Sequence, residues 1–211
     1  MSPIHLVRNH LAESAAVKVR IAESATSDVI VEAARQLARS VASGGKIMLC
    51  GNGGSAADSQ HIAAEFTGRL RTSMERPGIP AIALTTDTSF LTSRANDYGF
   101  DGVFERLVDG LGRPGDALIG ISTSGSSRNI VRAISRAKEK GIFTVGFLGG
   151  SGGVLADMVD LPIVVPSEST QYIQESHIAI GHILCELIEE MLYGTMHSAP
   201  DQTINNRGID A

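Results

Sequence analysis

The chain contains no tryptophan, and its aromatic fraction is only 4% of 211 residues. A core of ordinary apolar content, 43%, must therefore rely on Ile, Val, Leu and Ala. Cysteine is nearly missing too. Cys50 and Cys185 each fall in an apolar segment, which predicts buried, reduced thiols. No block of Lys and Arg stands out and the formal net charge is −5. Nonspecific nucleic-acid binding is disfavoured, and an anionic substrate has to be held by local groups. No apolar run approaches membrane-spanning length, and residues 1–11 (MSPIHLVRNHL) lack the apolar region of a secretory signal. The expectation is a soluble cytoplasmic protein without a membrane partner. No composition break divides the chain, so residues 1–194 are expected to form one domain. The polar, unpatterned segment 195–211 is expected to be disordered.

Two helical stretches open the chain, over residues 3–23 and 26–42. Leu6, Leu11, Ala15 and Val19 line one face of the first; Val29, Ala33, Leu37 and Val41 line one face of the second. After Gly44-Gly45 the pattern alternates. Strands are expected at 46–50, 81–85, 117–122, 144–147 and 161–165. Helical segments are expected at 55–70, 89–95, 102–111, 129–140 and 154–158. Continuous apolar runs such as Ile119-Gly120-Ile121 suit a parallel sheet covered on both faces. The expected fold is therefore α/β: a doubly wound three-layer sandwich with a five-stranded parallel sheet, preceded by N-terminal helices. Ligands of such a fold sit outside the carboxyl ends of the strands. The last helix, 170–193, is apolar along Ile173, Ile180, Leu184, Leu187 and Met191, which suits either its own sheet or a subunit contact. Residues 74–78 (MERPG) read as an exposed loop.

Three glycine-containing loops follow strands. Gly51-Asn52-Gly53-Gly54-Ser55 lacks the GxGxxG spacing, and no Gly-Lys-Ser/Thr follows, which excludes a Walker loop. It is either a plain strand-to-helix turn or a binding loop whose Asn52 and Ser55 suit sugar hydroxyls. Ser122-Thr123-Ser124-Gly125-Ser126-Ser127 groups hydroxyls around one glycine at a helix N-terminus, which makes a phosphate pocket of neutral donors. The competing reading is helix capping by Ser126 or Ser127. Gly149-Gly150-Ser151-Gly152-Gly153 has the wrong spacing for a dinucleotide, and Asp160 is too close to serve as the ribose acid, so a flexible turn is expected.

The first loop leads into a helix on which His61 and Glu65 stand one turn apart on one face. That spacing can hold one metal ion or one reacting carbon. Gln174 and His182, eight residues apart on the last helix, share nearly one face. His177 points elsewhere and is expected to be structural or solvated. Joined across the fold, His61, Glu65, Gln174 and His182 could form a site of two imidazoles, one carboxylate and one amide, suited to zinc or a similar ion. From spacing alone, ordinary core or surface roles for these side chains compete with that reading.

Four ordered motifs, GNGGSAADSQHIAAEF, ALTTDTSFLTSRANDYGF, GISTSGSSRNI and IQESHIAIGH, make the chain resemble the phosphoheptose isomerases of the sugar-isomerase (SIS) domain family. The resemblance implies that Asn52, Gly53, Gly54, Ser55, Asn96 and Asp97 contact substrate and that Ser122, Thr123, Ser124 and Ser127 bind its phosphate. It implies a zinc site of His61, Glu65, Gln174 and His182, with Glu65 and Gln174 also touching substrate and Glu65 and His182 as the catalytic pair. It further implies a homotetramer with sites at subunit interfaces. Ala95 stands where family members often have Gly, and Tyr172 where they often have a basic residue; both bear on affinity and not on reaction type.

The implied reaction converts sedoheptulose 7-phosphate to D-glycero-D-manno-heptose 7-phosphate. A partly desolvated carboxylate such as Glu65 can move a proton between neighbouring carbons, while His182 or a metal stabilises the enediolate. The resemblance also implies a rival, a noncatalytic SIS protein, whose members would lack the acidic residue at the Glu65 position. A sugar-phosphate sensor would need the serine loop but not Glu65 and His182 together. An isomerase of another ketose phosphate fits the same residues.

Overall fold

The computed structural model of the protein describes residues 2–72 and 74–194. The expected tail, 195–211, lies outside them. Helices α1 (Pro3–Ala22) and α2 (Thr26–Ala42) precede strand β1 (Ile47–Gly51) and helix α3 (Gly54–Thr67). There follow β2 (Ala81–Ala83), α4 (Thr88–Tyr98), α5 (Val103–Leu111), β3 (Ala117–Ser122) and α6 (Arg128–Glu139). The described residues end with β4 (Phe143–Gly149), α7 (Leu155–Met158), β5 (Leu161–Val165) and α8 (Thr170–Tyr193). The five strands form one all-parallel sheet in the order β2-β1-β3-β4-β5.

Because successive side chains of a strand point to opposite faces, each strand feeds two cores. Ile47, Leu49, Ile119, Ile121, Val145 and Phe147 face α2, α3 and α8. Met48, Cys50, Leu118 and Leu148 face α5, α6 and α7. Every side chain of β1 and β3 is buried, as a sheet covered on both sides requires. Both cysteines are buried and free. The order reverses between β1 and β3, so the loops after these two adjacent strands meet at the switch point where doubly wound folds bind ligands.

Two expectations fail. On α1 the buried residues are Ser14, Val17 and Ile21, whereas Leu6, Leu11 and Val19 are more than half exposed. Leu11, Ala15 and Val19 form a stripe that this chain leaves exposed, and Leu6, about 140° around the helix from Leu11, lies off it. Nor is 74–78 a wholly exposed loop. It adopts no regular structure, yet the Arg76 side chain is fully buried in an ion pair with Glu189 of α8. Among the described residues no helix is long and apolar enough to cross a membrane.

Candidate active site

Helices α3 and α8 each follow a loop at the same edge of the sheet, so they run in the same direction and pack together. On α3, His61 Nε2 lies 3.0 Å from Glu65 Oε1. From α8, His182 Nδ1 lies 3.0 Å from Glu65 Oε1 and 3.1 Å from Oε2. The two imidazoles meet edge to face, with centroids 5.3 Å apart. One donor atom from each of the three residues falls within 4.8 Å of the others. Glu65 is largely sheltered, its side chain 14% exposed, while the His61 and His182 rings are 53% and 42% exposed. A desolvated carboxylate thus faces the surface between two rings.

The donor chemistry fits a divalent ion. Two imidazole nitrogens and a carboxylate oxygen, converging with one side open, form the donor set of catalytic zinc sites. The atoms that face one another as hydrogen-bonding groups are the same atoms that would ligate. Asp58, one turn before His61 on α3, has a buried oxygen without a hydrogen-bond partner, and burial raises its pKa against the opposing pull of His61. Beneath Glu65, the buried Cys185 thiol is pushed far up, first by burial and then by the Glu65 charge and hydrogen bond. Cys185 is therefore a neutral thiol beside the carboxylate and not a nucleophile.

Gln174 stands apart from this trio. Its amide lies against Gly54, so closely that a Cβ on Gly54 would be 2.7 Å from Nε2. Eight residues of α8 separate Gln174 from His182, about 12 Å of helix rise. Three of the four expected ligands converge, and the fourth sits at the glycine loop.

The serine loop is built as an open cradle. Gly125 adopts φ 63°, and its backbone is pressed against the third glycine loop, where a Cβ would clash with Gly152 O. Residues 149–153 thus buttress the serine loop instead of forming a free turn. Ser127 occupies the N-cap of α6 but makes no side-chain cap; its Oγ turns to Ser122 Oγ at 3.0 Å. Ser124 Oγ lies 3.5 Å from Ser122 Oγ. The capping reading therefore fails for Ser127, and the hydroxyls gather beside a helix N-terminus, where an anion is favoured. Thr123 and Ser124 also border a cavity of about 300 Å³ shared with Gly149, Gly150, Glu168 and Thr170.

Asn52 is committed differently from the sequence expectation. Its amide pairs reciprocally with Asn129 at 2.9 and 2.8 Å, tying the first glycine loop to the start of α6. Asn129 was not singled out in the sequence, although an Asn within the first turn after a serine loop is the available signal. Gly53 is exposed with φ 55°, so its backbone is open to a ligand, whereas Ser55 is buried at 4% exposure. Asn96 and Asp97 are exposed on α4, hydrogen-bonded to each other at 2.8 Å. Helix α4 packs on the second face of the sheet, so the fold of this chain does not bring them to Glu65. His177 is fully buried, its Nε2 3.0 Å from Leu148 O, which makes it structural.

Comparison with known proteins identifies the family. Residues 10–149 match the SIS domain family. The chain is 51% identical over 188 residues to a phosphoheptose isomerase of Pelodictyon phaeoclathratiforme, covering 89% of each chain. It is 52% identical over 188 residues to that of Chlorobaculum tepidum, covering 89% of this chain and 90% of the relative. The structure of phosphoheptose isomerase GmhA from Neisseria gonorrhoeae superposes with a TM-score of 0.84 at 42% identity, covering 90% of this chain and all of that one. The chain belongs to the phosphoheptose isomerase family of SIS-domain isomerases.

Proposed function

We propose that the protein interconverts sedoheptulose 7-phosphate and D-glycero-D-manno-heptose 7-phosphate, a step toward nucleotide-heptose and lipopolysaccharide-core precursors. The observation that carries this reading is the sheltered Glu65 carboxylate held between His61 and His182 in a chain of this family. The ketose carries its carbonyl at C2. Glu65 takes a proton from C1, the electron pair forms the C1=C2 enediolate, and Glu65 returns the proton to C2. His182, hydrogen-bonded to Glu65, moves the hydroxyl proton from O1 to O2. Zinc held by His61, Glu65 and His182 would supply Lewis-acid polarisation of the substrate oxygens, in place of the His182–Glu65 hydrogen bond and at the cost of making Glu65 a weaker base. The serine loop, through Ser122, Thr123, Ser124 and Ser127, fixes the phosphate and so the far end of the sugar.

Glu65 lies eleven residues beyond Gly54, about 16 Å down α3 from the loop edge. Both histidine rings face solvent, yet proton transfer from carbon benefits from excluding water. The exposed Leu6, Leu11 and Val19 on α1 offer apolar surface to another copy of the chain. These features support a homotetramer whose sites are completed between subunits, a partner protomer supplying groups such as Asn96 and Asp97. The phosphorylated substrate fits a cytoplasmic enzyme.

The test is incubation of the purified protein with sedoheptulose 7-phosphate in D2O, followed by NMR. The expected result is an aldose heptose phosphate, with deuterium entering C2 to the extent that the proton on Glu65 exchanges with solvent before its return. Binding without turnover would make the protein a sensor, and turnover of only another ketose phosphate would reassign the substrate.

A further inference from the structure

Helix α3 carries Glu65 in its last turn, where the backbone carbonyls have no partner within the helix. Arg76, from the loop after α3, fills that gap. Its Nη2 donates to Glu65 O at 2.9 Å, and its Nη1 donates to Phe66 O at 2.8 Å and Gly68 O at 3.1 Å. The same guanidinium reaches α8: Nε and Nη2 donate to Glu189 Oε1 at 2.9 and 2.6 Å. Leu70 N donates to that oxygen as well, at 3.2 Å. Both side chains are fully buried.

Such a pair is expensive to bury, and two apolar residues of similar size would often serve stability as well or better. Its placement points to another use. Glu189 stands seven residues after His182, two turns along nearly the same face of α8. Arg76 therefore grips the backbone of Glu65 with one edge and the helix of His182 with the other. We propose that the Arg76–Glu189 pair is a positioning element. It sets the axial register of α3 against α8 and so holds Glu65 at 3.0 Å from His182. This inference rests on the proposed roles of Glu65 and His182, and it adds residues that touch neither substrate nor ligand. A planar, five-donor group is required for it, because a lysine cannot hold the three carbonyls of Glu65, Phe66 and Gly68 and a carboxylate at once.

The experiment compares wild type with Arg76→Met/Glu189→Met, which removes both buried charges together, and with Arg76→Lys. Each is measured by thermal unfolding, by kcat and KM for the ketose phosphate, and by titration of metal-free protein with Co2+ followed by visible absorption. The double variant is expected to unfold well below wild type, because methionine leaves the carbonyls of Glu65 and Gly68 without their guanidinium donor, so its kinetics are read below its own midpoint. Its kcat and Co2+ affinity should each fall about 10- to 100-fold, the range typical for outer-shell partners of a metal centre. KM should change by less than about threefold, since the phosphate loop lies at the opposite end of α3. Arg76→Lys should show the same split, and it decides the matter if the double variant does not fold. Wild-type kcat and Co2+ affinity in whichever variant folds would overturn the proposal and leave a merely structural ion pair. Wild-type protein that turns over no ketose phosphate would instead remove the isomerase reading, with Co2+ binding still deciding the register role. If wild type binds no Co2+, kcat alone decides it.

Discussion

Gly54→Ala separates the chemistry at the first glycine loop from the stability of the helix it opens. The added Cβ would stand 2.7 Å from Gln174 Nε2 and 3.1 Å from its Cδ. Ordinary contact begins near 3.5 Å, so the amide must retreat by roughly 0.8 Å. That retreat is cheap, because the group displaced is the free end of a flexible side chain. Alanine is also the better helix former, by about 0.5–1 kcal/mol relative to glycine, and Gly54 has no positive φ to defend. The thermal midpoint should therefore stay level or rise by about 2–4 °C. Function should move the other way. A misplacement near 1 Å at a positioning group can cost on the order of 100-fold in rate, so kcat/KM should fall about 10- to 100-fold. Calorimetry beside a steady-state isomerase assay gives both numbers. Wild-type kinetics in a folded variant would show that Gln174 does not take part in the reaction. A midpoint that drops along with activity would show that the packing argument is wrong.

Glu65→Gln removes the proposed base while keeping size and shape; kcat should fall about 10²- to 10⁴-fold at near-native thermal stability, and most of the turnover surviving would sink the assignment. Chelator treatment should lower activity, with recovery on adding Zn2+; elemental analysis finding no divalent ion, together with full activity after chelation, would defeat the metal reading. His177 supplies a pH prediction, because burial lowers its pKa from 6.5 to about 4. The unfolded chain binds a proton there below 6.5 and the folded chain does not. Stability is thus full above pH 6.5 and declines as pH falls toward 4, by about 3 kcal/mol in total from this group. Urea titrations across that window should show a shallower decline in His177→Gln, whose amide can still donate to Leu148 O; equal slopes would refute the account.

The sheet was legible in the sequence because strands buried on both faces leave a plain signal, unbroken apolar runs bounded by glycine. The register of α1 was not. An apolar stripe such as Leu11, Ala15 and Val19 says that something must cover it, but not whether the same chain supplies that cover. Arg76 was hidden for the opposite reason. A charged residue between Pro and Glu reads as solvated, and only Glu189, a carboxylate beside the apolar Ile188 on α8, hints at a buried partner. At the site, the His61–Glu65 pair follows from helix periodicity alone, since the i, i+4 relation is local. That Glu65 meets His182 is a tertiary fact that spacing cannot supply.

Helix geometry also explains why Gln174 and His182 part company. Residues eight apart share a face, yet they are about 12 Å apart along the axis. Because α3 and α8 run in the same direction, Gln174 meets Gly54 at the loop and His182 meets Glu65 farther down. The two helices therefore present two stations, one where the strand loops end and one where carboxylate and imidazoles converge. The first is held by glycine contacts and the Asn52–Asn129 amide pair, the second by the Arg76–Glu189 clamp. A substitution that disturbs only the first station should act on substrate binding and orientation. One that disturbs only the clamp should act on proton transfer and leave KM nearly untouched. If substitutions at both stations changed kcat and KM in the same ratio, the stations would be one site, and α8 would have to shift along α3 by more than a helical turn to unite them.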